Sequence, residues 1–186
     1  MTGWSYGLAA ESGGGAVPKE TFYHLPGDKA DRIEAAAIEE FMAYPFETAS
    51  VNRIVAKAGI AKGSFYQYFA DKKDLYKYIL DRIVAQKMAF LSPIMANPQS
   101  ADFYTLLKEI YKSGLQFAKA HPRLQKIGNQ LIADRGSPVY KEFVEENMSL
   151  ADQSFRMMIE KGIAQGDIRP DIDVPMMAWM IARMNF

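Results

Sequence analysis

The sequence contains no cysteine, only two histidines, and no excess of charge of either sign: 22 lysines and arginines balance 22 aspartates and glutamates. Each lack excludes something. Without cysteine there is no disulfide, no zinc–thiolate site and no thiol nucleophile. His24 and His121 are isolated in the sequence, so each reads as a surface or capping residue rather than a metal ligand or base. Carboxylates remain, but Glu145 and Glu146 are adjacent and turn to different sides of a helix, and no Glu-x-x-His repeat of a carboxylate di-metal bundle occurs. The expectation is a protein that is not an enzyme, with no catalytic residue, metal or cofactor. No apolar run reaches the roughly 18 residues that span a bilayer. The opening MTGWSYGLAAESGGG has neither the basic nor the apolar segment of a signal peptide. No membrane partner and a cytoplasmic location are therefore expected. Strand-like alternation is missing as well, so the chain is expected to be all-α.

What is present is helical periodicity in 186 residues, of which 49% are hydrophobic and 24% charged, as suits a soluble globular chain. The stretch Ser50 to Lys73, SVNRIVAKAGIAKGSFYQYFADKK, organises the rest. Val51, Ile54, Val55 and Ala58 form one apolar stripe. Ser50 is expected to cap that helix with its hydroxyl, and Gly59 to end it in the left-handed region. In the following pattern Phe65 and Phe69 point inward. Gly63, Ser64 and Gln67 point outward, with Lys62, Tyr66 and Tyr68 on the flanks. Two short helices about a glycine turn make a helix-turn-helix, whose second helix enters the DNA major groove. Charge agrees. From Arg53 to Lys77, six basic residues (Arg53, Lys57, Lys62, Lys72, Lys73, Lys77) face two acidic ones (Asp71, Asp74), a net of +4 that leaves −4 for the remainder.

Ser50-Val51, Ile54, Ala58-Gly59-Ile60, Lys62-Gly63-Ser64-Phe65-Tyr66, Tyr68-Phe69, Lys72 and Leu75, preceded by Arg32-Ile33, Ala36-Ala37 and Phe41, form a pattern that resembles the DNA-binding signature of the TetR family of bacterial transcriptional regulators. The resemblance covers roughly residues 29–80. Ala61 departs from it, standing where the family often has a serine. The resemblance implies a three-helix helix-turn-helix head joined to a larger helical ligand-binding and dimerisation body. It also implies a double-stranded DNA operator, a homodimer, a small hydrophobic effector, and repression as the default mode. Family correspondence places Ser50, Ser64, Tyr66, Tyr68 and Lys72 at phosphate-facing positions; for both tyrosines, packing is the alternative. Lys62 and Gln67 are candidates to read bases, since lysine donates to guanine acceptors and glutamine pairs bidentately with adenine. Gly63 permits close approach, and Asn52 and Arg53 are secondary candidates.

Along the chain, residues 1–28 read as a flexible tail, with Phe22 to Pro26 packing on the body as an extended arm. A first helix is predicted from Lys29 to about Ala43, capped by Asp28, with Glu34, Glu39 and Glu40 on its outer face. Residues 29–80 make the DNA-binding domain, in which Ile33, Phe41, Ile54, Phe65 and Phe69 converge. A helix from Lys72 to Leu91 follows. Its opening lysines oppose the helix dipole, which suggests a phosphate-binding task. Ser92-Pro93 and Asn97-Pro98 read as a connector.

Residues 81–186 make the body, with helices predicted over 102–120, from Pro122 to near Arg135, from Pro138 to about Gln165, and from Val174 onward. Gly166 to Asp173 resembles the family's loop before its late helices. The last pattern is still helical at Phe186, so the body is expected to be incomplete at that end. Phe103, Tyr104, Tyr111, Phe117, Phe155 and Met158, with Met88, Met95, Met157 and Trp179, are candidates to line an effector pocket; ordinary core or dimer interface is the alternative. Met176, Met177, Trp179, Met180 and Met184 are assigned mainly to the subunit interface. A competing class is a helical ligand-binding or scaffold protein that kept the fold and lost DNA binding. The retained Lys62, Ser64, Tyr66, Tyr68 and Lys72 argue against it.

Overall fold

The computed structural model describes residues 18–95 and 101–184, the side chains of 92–95 and 146 excepted. Every regular element among the described residues is helical. The chain divides between Ile79 and Leu80 into two compact units, a boundary that falls inside one long helix.

The first unit holds α1 (Glu20–Tyr23), α2 (Gly27–Ala43), α3 (Val51–Ala58), α4 (Lys62–Tyr68) and the opening of α5 (Lys72–Met95). Ile33, Phe41, Ile54, Phe65, Phe69, Leu75 and Ile79 are fully or almost fully buried. At about 1.5–3 kcal/mol for each large apolar side chain taken out of water, these residues hold α3 and α4, too short to persist alone, against α2 and the opening of α5. Gly59 ends α3 at φ 66°, and the Ile60 N–H returns to the Val55 carbonyl at 3.1 Å. That left-handed residue turns the chain from α3 into α4.

Four local expectations are corrected. Residues 18–28 are folded rather than a tail: α1 is a helical turn, not an extended arm, and Phe22 is buried against the rings of Phe69 and Tyr78 at 5.1 and 5.2 Å. Residues 1–17 lie outside the described residues. The second helix starts at Gly27 after Pro26, and Asp28 pairs with Arg32 at 2.7 Å instead of capping. The Ser50 hydroxyl makes no cap bond; the Ser50 N–H donates to Glu40 Oε1 at 2.8 Å. Glu40 is therefore not on the outer face but buried, because it has donors to accept from.

The second unit contains the rest of α5, α6 (Phe103–Ala120), α7 (Pro122–Ala133), α8 (Pro138–Gln165) and α9 (Val174–Met184). The helix α5 continues through Ser92-Pro93 to Met95 rather than stopping at Leu91. Proline gives up its own N–H bond, but its fixed φ is compatible with a helix, so a last turn can persist. Asn97-Pro98 lies outside the described residues. Asp102 caps α6 by accepting from the Thr105 N–H at 2.9 Å. The Thr105 hydroxyl bond, then the amide bond, hold its carboxyl below the usual aspartate value. Pro122 and Pro138 open α7 and α8, where a missing N–H costs nothing.

Gly166 ends α8 at φ 83°, and the Asp167 and Ile168 N–H groups close on the Gly162 carbonyl at 2.9 and 3.2 Å. Phe103, Phe155, Ile159, Ile168, Ala178 and Ala182 form one buried cluster joining α6, α8 and α9. Gly162 sits against it. A Cβ there would lie 2.9 Å from Ile168 Cδ1 and 3.1 Å from Phe103 Cβ.

Candidate nucleic-acid interface

The helix α4 is only seven residues long, so its faces are set by the core beneath it. Phe65 is completely buried and Tyr68 nearly so, and the cap residue Phe69 is also completely buried. At 100° per residue, this leaves Lys62, Gly63, Tyr66 and Gln67 within one outward arc, and all four are exposed. Ser64 lies at the edge of that arc and is half-buried. A Cβ on Gly63 would meet nothing within 4 Å, so no contact inside the protein requires glycine there. Tyr66 is 46% exposed and rests edge-on against Phe65 at 5.2 Å.

The other candidates are placed differently. Asn52 is exposed at the start of α3, and Ser50 is half-buried. Arg53 is committed: its Nε and Nη2 donate to Glu40 Oε1 at 2.9 and 2.6 Å, and Nη2 also reaches the Thr48 carbonyl at 2.9 Å. Its guanidinium stacks 4.2 Å from the Tyr44 ring centre. Those Glu40 hydrogen bonds, first, and the carboxylate's charge push its pKa above the ordinary arginine value. Lys72 was expected to face phosphate. Its ammonium instead donates to the carbonyls of Phe46, Glu47 and Ala49 at 2.6, 3.1 and 3.0 Å, which occupies all three protons. Tyr68 packs as an aromatic, 6.1 Å from Phe22, with the Lys29 ammonium 5.5 Å from its ring centre.

In the second unit the structure gathers only some of the pocket candidates. Phe103 and Phe155 are in the buried cluster and Met158 packs against it. Phe117 lies about four turns along α6 from Phe103, roughly 21 Å at 1.5 Å per residue, and contacts Phe90 and His121 at 6.2 and 5.2 Å. Tyr104 is 63% exposed, and Tyr111, Met157 and Met88 are also exposed. Among the described residues there is no cluster of potential metal ligands, and no helix is long and apolar enough to cross a membrane.

The family model described as bacterial regulatory proteins, tetR family, matches residues 33–79, the span holding α3 and α4. A solved TetR family transcriptional regulator from Chloroflexus aurantiacus J-10-FL is 34% identical, with a TM-score of 0.66, over 91% of this chain and 77% of that one. The chain belongs to the TetR family. As a TetR-family transcriptional regulator it carries its helix-turn-helix DNA-binding motif in α3 and α4. The uncharacterized HTH-type transcriptional regulator YfiR of Bacillus subtilis (strain 168) is 24% identical over 170 residues, 90% of this chain and 81% of its own length. A gamma-butyrolactone receptor (ArpA-like protein) shares the fold, at 21% identity and a TM-score of 0.62 over 84% of this chain and 76% of that one.

Sequence reasoning missed three residues that shape this TetR-family head. Glu40 anchors Ser50 and Arg53, and Lys19 and Thr21 reach the end of α4. Glu40 stands between Glu39 and Phe41, and nothing in the local pattern marks one of the two adjacent glutamates as buried. Lys19 and Thr21 act across more than 40 residues of sequence, beyond the reach of any periodicity.

Proposed function

We propose that this protein is a repressor that binds its operator as a twofold homodimer and leaves it when a small hydrophobic ligand enters the helical body. The observation that carries the DNA half is the outward arc of α4: Lys62, Gly63, Tyr66 and Gln67 are exposed on a helix whose other side is locked by Phe65 and Phe69. In this reading Lys62 and Gln67 contact base edges, and Gly63 lets the backbone approach. Ser64 and the Tyr66 hydroxyl donate to phosphates with Asn52 and Ser50 beside them. Arg53 and Lys72 act indirectly, by fixing α3 and the turn before it. Tyr68 acts through its ring.

A single short helix gives little affinity, so two copies are required, with half-sites roughly 34–36 Å apart or a multiple of that. The apolar side chains on α9 support pairing: Met176, Trp179, Met180 and Met184 are exposed, Met177 is half-buried, and Arg183 stacks 4.2 Å from the Trp179 ring centre. For the effector, the support is the polarisable and aromatic character of Phe103, Phe155 and Met158, which the fold gathers in one apolar cluster, together with a fold shared with a gamma-butyrolactone receptor.

The test has three readings on the full chain. Light scattering should give a dimer. The DNA flanking its own gene should be retarded in a gel, less so as salt rises. A hydrophobic compound that raises the melting temperature should release that DNA. A monomer, or DNA binding indifferent to every stabilising compound, would contradict the proposal.

A further inference from the structure

The carboxyl end of α4 is finished by residues that precede the helix-turn-helix. A helix leaves its last carbonyls without partners, and in α4 Phe65 O is closed by the Phe69 N–H at 3.0 Å. The next three carbonyls are each met from the chain segment around α1. Lys19 Nζ donates to Tyr66 O at 2.9 Å, the Thr21 hydroxyl donates to Gln67 O, and the Lys19 N–H donates to Tyr68 O at 2.9 Å. Buried Phe22 anchors the segment among Tyr68, Phe69 and Tyr78. Lys19 and Thr21 themselves are exposed, so burial does not demand their polar contacts. The Lys19 ammonium also sits where the helix dipole is negative.

From these contacts we infer that Lys19 and Thr21 are positioning residues for operator recognition, clamping the last turn of α4 in its DNA-reading geometry. The inference rests on the reading of α4 as the base-contacting helix. The two outward side chains of that turn belong to Tyr66 and Gln67, and it is their own carbonyls that Lys19 and Thr21 hold. An isolated seven-residue helix frays. A frayed end would have to be ordered when DNA binds, and that cost falls on affinity. It falls on sequence-specific binding, which needs Gln67 and Tyr66 in register, more than on general attraction to phosphate.

The experiment compares wild type, Thr21→Val, Thr21→Ser and Lys19→Met on a duplex that the wild-type full-length protein selects from a random pool, and on an unrelated duplex. Thr21→Val keeps the shape and removes the donor; Thr21→Ser keeps the donor. Loss of one such bond should weaken binding to the selected duplex about five- to tenfold. Binding to the unrelated duplex should hold, and Thr21→Ser should behave as wild type. In the free protein, hydrogen exchange of the Tyr66 to Phe69 amides should quicken in Thr21→Val while α3 is unchanged. If wild type selects a duplex but Thr21→Val binds it equally well, or loses both duplexes in equal proportion, the clamp is overturned and the DNA reading stands. If wild type selects nothing, the reading of α4 falls and the clamp with it.

Discussion

Glu40 and Arg53 face each other across α2 and α3, with Arg53 Nη2 2.6 Å from Glu40 Oε1 and the same oxygen accepting the Ser50 N–H at 2.8 Å. One buried carboxylate thus holds both the backbone N–H of the N-cap residue Ser50 and the Arg53 side chain, and so fixes where α3 begins. Removing it leaves an amide and a guanidinium without their acceptor. Glu40→Ala should lower unfolding stability by about 1–3 kcal/mol, read by urea denaturation of the full chain. Ser50→Ala should cost little by comparison. A larger loss in Ser50→Ala would restore the hydroxyl cap.

Lys72 and Lys62 should separate in a salt titration. The Lys72 ammonium is spent on three carbonyls of the turn before α3, whereas Lys62 is exposed on the outward arc. Lys72→Met should lower stability by about 1–3 kcal/mol and change the slope of log affinity against log salt by less than one. Lys62→Ala should leave stability nearly unchanged, relax preference at the base pair that Lys62 reads and, because a cation beside the duplex is lost, lower that slope more than Lys72→Met does. Denaturation and anisotropy titrations on the same variants decide between them.

The helix boundaries that were readable were those written in local chemistry. Gly59 and Gly166 stop α3 and α8 because only glycine enters φ of 66° and 83° without strain. Pro122 and Pro138 start α7 and α8, and the five phenylalanine and isoleucine residues expected at the centre of the head are buried there. What could not be read was set by distant partners. Lys72 looks like a phosphate ligand until the carbonyls of 46, 47 and 49 are placed around it. Phe22 reads as part of an extended arm on the body until Tyr78, 56 positions on, lies beside it in the head. Phe103 and Phe117 share an apolar stripe yet serve different clusters, because a stripe records a face and not a position along it.

Gly162 tests the packing of the body. Its missing side chain admits Ile168 and Phe103. Gly162→Val should overpack the junction of α6 and α8 and destabilise by about 1–3 kcal/mol. The measurement is thermal or urea unfolding, and an unchanged midpoint would contradict the contact.

Lys87 gives the body a pH dependence with a definite sign. Its ammonium lies 5.4 Å from the Phe117 ring centre, and burial lowers its pKa from the ordinary 10.5. The unfolded chain keeps that proton up to the ordinary value, while the folded chain releases it earlier. Between the two, the unfolded state holds more protons, so this residue's contribution to stability rises with pH. The cost of burying the charge is fully present below the folded value. Lys87→Met should therefore be more stable than wild type at neutral pH and lack the alkaline rise, as measured by denaturation from pH 7 to 10.

The most direct test of the whole account is a competition between base-substituted operators for wild type and Gln67→Ala. The outward arc of α4 predicts that Gln67→Ala loses discrimination at one or two base pairs per half-site, worth about 1–3 kcal/mol each, and leaves discrimination at the others intact. If Gln67→Ala ranks every substituted operator as wild type does, then α4 does not read DNA through that side chain, and the account of the interface is wrong.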